Sequence, residues 1–261
     1  MDEDVGSGLR LLDRALILNN EERVLLVADL HLGLDLELRR KGVTIPFQTD
    51  RIKKALLSLI RSETPDRVVI LGDVRHAIPV ATRSEVVHVP RFLEAIKKEV
   101  SLTIVPGNHD AGIRDIVPAD VDVVPSRGIR HGDVGLFHGH TWPGTEVLSA
   151  QTLICGHVHP CVTLTDEGGH PYRLTCWVTA DLDRETLLER YPDVDVRSRR
   201  LIIMPAFNPL ITGQSLNTGK RPLGPLLRNN IAIPESLSYT LLDGTHLGRM
   251  DDAPTEYPGK V

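Results

Sequence analysis

Residues 23–33 read Arg-Val-Leu-Leu-Val-Ala-Asp-Leu-His-Leu-Gly, a short apolar and β-branched run that stops at Asp29 and is followed two residues later by His31. Apolar residues without alternation mark a strand buried on both faces. In extended backbone, positions i and i+2 point the same way, so Asp29 and His31 can reach one point beyond the strand's end. Alone, a carboxylate after a buried strand is an ordinary cap or turn residue. Repetition changes that reading. Four further apolar runs end alike: residues 68–72 before Asp73, 102–107 before Asn108-His109-Asp110, 134–137 before His138, and 153–156 before His157-Val158-His159.

The histidines test the pattern. Seven of the eleven lie in these segments: His31, His76, His109, His138, His140, His157 and His159. Unrelated core or surface histidines have no reason to gather at the ends of apolar runs, so a shared metal site is the economical reading. Asp, Asn and imidazole without thiolate favour Mn, Fe(II), Zn or Co, and so many ligands exceed the needs of one tetrahedral ion. Two divalent ions are implied. A cation pair about 3.5 to 4 Å apart is the arrangement used for in-line displacement at phosphorus.

Outward from this centre, residues 15–18 read as a strand turning through Asn19-Asn20 to pair beside the Val24 strand. Residues 34–41 fit both strand alternation and a helical face, and are left unassigned. Ile52, Ala55, Leu56, Leu59 and Ile60 fall at helical spacing opposite Arg51, Lys53, Lys54 and Arg61, an amphipathic helix that Pro65 ends. A buried strand at 67–71, a helix with Pro90 near its first turn and Phe92, Leu93 and Ile96 inward, and a strand at 102–105 follow. Parallel neighbours need such crossovers, so the first half predicts a parallel sheet with helices outside it. From Val121 onward, short turns such as Arg127-Gly128 and Asp166-Glu167-Gly168-Gly169 predict a largely antiparallel second sheet. A helix at 184–191 interrupts it before a strand at 200–204. Residues 217–235 predict a long surface loop, 237–242 a last edge strand, 1–8 a frayed start and 251–261 a disordered tail. Together these predict two sheets face to face with helices on the outer faces, in one domain over residues 1–250.

With 261 residues, 41% of them apolar and 25% charged, the chain is long enough for one sizeable core. A net charge of -5 gives no global attraction to nucleic acid and leaves room for a local basic patch. Cys155, Cys161 and Cys176 are odd in number and form no Cys-x-x-Cys pair. That argues against a disulfide framework, an iron–sulfur site or a zinc ribbon, and predicts a cytoplasmic setting. The acidic start Met-Asp-Glu-Asp, and the lack of any apolar stretch near about 18 residues, predict neither a secretory signal nor a membrane span.

Taken together, Asp29-x-His31, Gly72-Asp73, Gly107-Asn108-His109-Asp110, His138-Gly139 and Gly156-His157-x-His159 resemble the five ordered motifs of the calcineurin-like metallophosphoesterases, over residues 15–210. The resemblance implies an α/β four-layer sandwich of two facing mixed β-sheets flanked by helices, with a dinuclear site on the loops at the strand ends. By motif position, Asp29, His31 and His159 would hold one ion, Asn108, His138 and His157 the other, and Asp73 would bridge them. Manganese is the expected metal, with zinc, iron and cobalt as the others. His109 takes the place of the family's catalytic histidine, which protonates the leaving oxygen, and Asp110 that of the residue orienting it. His140, one residue past the match, is expected behind the ligands or at the surface.

Asp73-Val74-Arg75-His76 places a histidine three residues past the bridging carboxylate, similar to SbcD-type nucleases, where that histidine contacts the phosphodiester. As a plain turn residue it would instead bond to backbone. Residues 71–76 and Pro205-Ala206-Phe207-Asn208-Pro209 resemble the archaeal SbcD-related phosphoesterases and, less closely, the small phosphoesterases of bacterial DNA ligase and helicase operons. The resemblance implies a phosphodiesterase acting on nucleic acid or nucleotides, and a DNA-repair or helicase protein as partner. It departs from SbcD nucleases after His159, where the second sheet is expected to consume the chain and leave no room for a DNA-capping domain. Single-stranded or flexible polymer is then the more natural substrate than duplex ends. Arg197, Arg199 and Arg200 form the densest basic cluster, and Trp142 is the aromatic placed to lie beside the site. Two other readings compete: a small-molecule phosphatase or cyclic-nucleotide phosphodiesterase, and a catalytically silent interaction module such as the retromer subunit of this fold. A silent relative would have lost His109 or several ligands, and all of them stand here.

Overall fold

The computed structural model describes residues 3–4 and 8–249. Strands β1 (Glu3–Asp4), β2 (Leu9–Leu12), β3 (Ala15–Asn19), β4 (Arg23–Ala28), β5 (Arg67–Leu71), β6 (Ser101–Val105) and β7 (Asp122–Val123) form one sheet in chain order. Pairing is antiparallel from β1 to β4 and parallel from β4 to β7. Helix α1 (Leu34–Arg40) follows β4, while α2 (Gln48–Glu63) and α3 (Arg83–Lys97) supply the crossovers that parallel pairing requires. In α2, Ile52, Leu56 and Ile60 form the buried stripe, and the helix stops where Thr64 turns left-handed, with φ 44°, ahead of Pro65.

Helix α3 starts earlier than its proline suggested. A capping box closes its first turn: the Thr82 hydroxyl accepts from the Glu85 N–H, and the Glu85 carboxylate accepts from the Thr82 N–H. Pro90 therefore lies inside the helix rather than in its first turn. An interior proline costs about 3 kcal/mol. Burial of Val89, Phe92, Leu93 and Ile96 on one face offsets it, since each fully buried large apolar side chain contributes about 1.5–3 kcal/mol.

The second sheet contains β8 (Ile129–His131), β9 (Val134–Leu136), β10 (Thr152–Cys155), β11 (Pro160–Thr165), β12 (Pro171–Asp181), β13 (Arg200–Ile203) and β14 (Gln214–Ser215), in the order β14-β11-β12-β13-β10-β9-β8. Strands β15 (Ser238–Leu241) and β16 (His246–Arg249) join it through β12. The sheet is mixed rather than largely antiparallel, because β9, β10 and β13 run parallel at its centre. Helices α4 (Thr145–Leu148) and α5 (Arg184–Arg190) lie on the connections that make this possible, and four residues of α4 are too few to leave a periodic signal. The stretch 217–235 is not a plain surface loop. Pro225 opens helix α6 (Pro225–Arg228), and Leu226, Leu227, Ile231 and Ala232 are buried against the sheet. Strand β15 is not an edge either, being flanked by β12 and β16. The expected tail at 251–261 lies outside the described residues. So does most of the expected frayed start, of which Glu3–Asp4 pairs with β2.

Three apolar layers separate the four structural ones. Leu25 and Val27 of β4 face α2 and α3 with Ile17, Ile70 and Ile104, whereas Leu26 and Ala28 face the opposite sheet and meet Leu136, Ile154, Trp177 and Ile202. Leu153, Cys155, Leu201 and Ile203 point the other way, onto Leu187 and Leu227. This period-two division of continuous apolar runs is the two-sided burial that strand 23–28 announced. Trp177, 2% exposed, fills the layer between the sheets and satisfies its indole N–H on the Asp13 carbonyl at 2.8 Å. Among the described residues no helix is long and apolar enough to cross a membrane.

Candidate metal centre

Parallel strands bring their C-terminal ends to one edge of a sheet, which is where open α/β sheets bind ligands. The loops after β4, β5 and β6 carry Asp29 and His31, Asp73, and Asn108 with His109; those after β9 and β10 carry His138, and His157 with His159. The Asp29 carboxylate stitches the two edges together by accepting the His157 N–H at 3.0 Å, and within the first edge the His31 N–H donates to the Asp73 carbonyl at 2.8 Å.

Asp29 and His31 do not converge by extended spacing. The chain turns left-handed at both, with φ 58° and 41°. Asp73, His157 and His159 do the same, at φ 50°, 68° and 48°, so five of the eight non-glycine residues with positive φ among those described are these donors. Such conformations cost of order 1–3 kcal/mol each and persist where the surroundings over-determine them. A missing side chain provides the room. A Cβ on Gly107 would lie 2.2 Å from the Asp73 carboxylate and 2.5 Å from its backbone nitrogen.

One donor group comprises Asp29, His31, Asp73 and His159, and a second comprises Asp73, His138 and His157, the ligand atoms within each lying within 4.8 Å of one another. Asp73 belongs to both. His159 Nε2 stands 3.1 Å from Asp29, His31 Nε2 3.6 Å from Asp73, and His138 Nε2 3.4 Å from Asp73. The Asn108 carbonyl oxygen, 3.3 Å from His138 Nε2, extends the second group. His138 donates its Nδ1–H to the Leu71 carbonyl at 2.8 Å, the support that commonly fixes a ligating imidazole and leaves Nε2 inward.

Electrostatics show what the cluster needs. Asp29 and Asp73 are 0% and 1% exposed and have no Lys or Arg partner among the described residues. Burial works to raise both, yet His159 and His138 beside Asp29, and His138 hydrogen-bonded to Asp73, hold them below the usual carboxylate range. Burial works to lower His138, and Asp73 with Asp29 raises it to about 9. Burial lowers His31 to about 3 and His157 to about 4, which keeps them neutral donors. Taking an unbalanced carboxylate out of water costs several kcal/mol. Two buried carboxylates ringed by imidazoles, with no Lys or Arg beside them among the described residues, are the donor chemistry of a divalent cation site, and the residues fit two such ions.

His109 Nε2 faces the shared carboxylate at 4.0 Å, and its Nδ1–H donates to the His76 carbonyl. That carbonyl, not Asp110, fixes the ring. The Asp110 carboxylate instead accepts the N–H groups of Gly107 at 2.9 Å, Val74 at 3.0 Å and Arg75 at 3.3 Å, tying the third motif loop to the second. His76 lies on the rim, its side chain 19% exposed, with Nδ1 3.3 Å from His31 Nδ1 and Nε2 3.0 Å from Glu37. Its ring stacks on that of His109 at 5.7 Å.

Sequence reasoning missed three supports of this rim. Glu37 holds His76, and only the unassigned α1 segment concealed it. Glu85 accepts the His76 and Ala77 N–H groups at 2.9 and 2.7 Å, and its capping-box spacing from Thr82 was a readable signal. Arg75, fully buried, donates to the carbonyls of Ala77, Pro79 and Ala111 and so clamps both loops.

Of the other residues, His140 takes one of its two expected places, while Trp142 and the arginine cluster fall away from the site. His140 sits behind the ligands, 5.2 Å from the His138 ring; burial and then His138 lower it to about 4, and its buried Nδ1 has no partner among the described residues. Trp142 is covered by the Arg190 guanidinium at 3.7 Å and packs on the outer core with Tyr191. Arg200 opens β13 opposite Thr152, at the end of the sheet away from the loop after Cys155, so the Arg197–Arg200 cluster lies far from the donors.

The calcineurin-like phosphoesterase model matches residues 22–230. The crystal structure of a Pseudomonas putida nuclease, MPE, shares the fold with a TM-score of 0.58 at 23% identity, over 93% of this chain and 96% of that one. Yfce, a phosphoesterase from E. coli, aligns with a TM-score of 0.38 at 14% identity, over 87% of this chain and 97% of that one. No curated protein gives a significant match. With most of its length matched by the family model and the family's motifs gathered around two buried carboxylates, this chain belongs to the calcineurin-like phosphoesterases, metal-dependent hydrolases of phosphoric esters.

Proposed function

We propose that the protein is a manganese-dependent phosphodiesterase that cleaves single-stranded nucleic acid. The observation that carries the reading is Asp73, a buried carboxylate common to two donor groups with a histidine nitrogen facing it from the open side. Asp29, His31, Asp73 and His159 would hold one ion, and Asp73, Asn108, His138 and His157 the other. When bound, the cations supply Lewis-acid neutralisation of the charge on a phosphoryl group. The protein's own residues do the rest. The His76 carbonyl commits Nδ1 of His109, so Nε2 is the atom that, when protonated, delivers a proton to the leaving oxygen. His76 lies on the same rim with Nε2–H committed to Glu37, so its contact with a non-bridging oxygen of a diester falls to Nδ1, which must leave His31 and carry a proton to donate. The fold likeness to the Pseudomonas putida nuclease supports a polynucleotide as substrate.

The test is a matrix of single-stranded DNA, RNA, duplex DNA, cyclic nucleotides, bis-p-nitrophenyl phosphate and p-nitrophenyl phosphate, each against Mn, Zn, Fe(II), Co and Mg. Higher kcat/KM with Mn on diesters than on monoesters, with nicking of single strands, is expected. Efficient monoester hydrolysis with no polynucleotide cleaved under any metal overturns the proposal in favour of a small-molecule phosphatase.

A further inference from the structure

A cleft of about 740 Å³ opens beside the metal ligand His159, lined among others by Thr163, Arg173, Gln214, Lys220 and Leu223. One wall is the β11–β12 hairpin, in which Arg173 pairs across from Thr163. The other is the segment from β14 towards α6, which is anchored to the site itself. The Gln214 N–H donates to the His159 carbonyl at 3.1 Å, and Gly213 lies so close that a Cβ there would sit 1.3 Å from that oxygen. Gln214 then spans the segment, donating to the Arg221 carbonyl at 2.8 Å and accepting the Leu223 N–H at 3.0 Å. Asn217 bonds both backbone groups of Thr163, at 3.0 and 2.8 Å, locking one wall to the other. The cleft is thus shaped before any ligand arrives.

Its charge runs against that of the whole chain. The lining includes Arg173 and Lys220 and no carboxylate, in a protein with 35 acidic and 30 basic residues. Both cations are exposed, and neither has an acidic partner among the described residues. Position decides what they are for. Thr163, the cross-strand partner of Arg173, is four residues along the chain from His159, on the order of 13 Å at about 3.3 Å per residue. The Arg173 backbone therefore starts beyond the metal ligands, and its charge is placed for phosphates next to the one being cleaved.

We propose that this cleft is a backbone-binding subsite, in which Arg173 and Lys220 hold phosphates of a polynucleotide strand flanking the one at the metal centre. This rests on the phosphodiesterase reading above and adds where, and by which residues, a polymer is distinguished from a small diester. Exposed Pro171 and Leu223 line the same cleft and give the bases an apolar surface.

The experiment measures binding of a cleavage-resistant phosphorothioate oligothymidylate to the metal-loaded protein by fluorescence anisotropy across a salt series. It compares wild type, Arg173→Ala, Lys220→Ala, the double variant, Lys220→Glu, and Arg197→Ala as a control at the far end of the sheet. Each cation removed is expected to reduce the slope of log Kd against log salt by about 0.7, the value for one single-strand phosphate contact. Lys220→Glu should weaken binding more than Lys220→Ala, and the polymer-to-bis-p-nitrophenyl-phosphate ratio of kcat/KM should fall in every cleft variant. Arg197→Ala should match wild type. If wild type binds the strand but the double variant keeps its slope and affinity, the subsite is wrong and the phosphodiesterase reading stands. Equal losses on polymer and small diester also overturn the subsite, by making the cleft part of the metal centre. If wild type binds no strand at all, both fall.

Discussion

Replacing Gly107 with alanine adds one methyl group at the point where the third motif loop passes the shared carboxylate. The backbone of Gly107 is not left-handed, so alanine meets no conformational penalty there, and the effect is confined to space. The new Cβ would stand 2.2 Å from the Asp73 carboxylate oxygen and 2.5 Å from the Asp73 nitrogen. Because the second contact is to backbone, swinging the side chain away does not relieve it, and Asp73 must shift bodily by about 1 Å to regain an ordinary contact. Overpacking of that kind costs about 1–3 kcal/mol. The shift also breaks the 2.9 Å hydrogen bond from the His109 N–H to Asp73, worth about 1.5–3 kcal/mol for a charged acceptor. About 3 kcal/mol falling on the metal-bound form corresponds to more than about a hundredfold in Kd. Metal sites tolerate only about 0.2 Å of ligand displacement, so the loss should fall on both ions. Isothermal titration of chelator-treated protein with Mn, paired with thermal unfolding, measures both effects; a drop of several degrees in Tm is expected alongside the lost affinity. Gly144→Ala is the control, since its added Cβ would meet nothing closer than 3.5 Å. A folded Gly107→Ala protein that titrates two ions with wild-type affinity would falsify the placement of Asp73 as the shared ligand.

Asp73→Ala should abolish binding of both ions, measured by elemental analysis after gel filtration, because one carboxylate serves both donor groups; retention of one tightly held ion would show that the groups are independent. His109→Ala should keep the metal content and lose about a hundredfold to ten-thousandfold in turnover of esters with poor leaving groups, with a smaller loss on p-nitrophenyl esters; equal losses on both would make His109 a positioning residue. His76→Ala should lower kcat/KM on diesters more than on monoesters, and Glu37→Gln, which weakens the 3.0 Å contact holding His76, should move the same ratio part of the way. An unchanged ratio in both variants would remove His76 from substrate contact.

The features read well from sequence are those in which one-dimensional order maps directly onto packing. Unbroken apolar runs bounded by Asp, Asn and His became strands buried on both faces, and the period of α2 placed Ile52, Leu56 and Ile60 against the sheet because amphipathicity is a local property. The misreadings share a physical cause, the outranking of a strong local signal by a weaker one with tertiary backing. Pro90 outweighed the Thr82 and Glu85 capping box, and the Gly and Pro content of 217–235 hid a turn of helix whose leucines complete the outer core. The site was legible as a set of residues but not as a geometry. Asp29-x-His31 looked like an extended chelate, whereas the backbone reaches the same convergence through left-handed turns at both residues. Extended backbone would have carried His31 onward along the strand axis, about 6.6 Å past Asp29. The left-handed turns instead lay the 29–32 segment beside residues 72–74, with Asp29, His31 and Leu32 donating to the carbonyls of Gly72, Asp73 and Val74. Backbone pairing beyond the sheet's last register therefore sets the donors' spacing, and Asp110, Arg75 and Glu85, none of which faces the donor cluster, keep that pairing in place. Local strain at five donors persists because a network of buried hydrogen bonds over-determines it, and that network joins residues far apart in the chain, which no reading of spacing along one strand end can reveal.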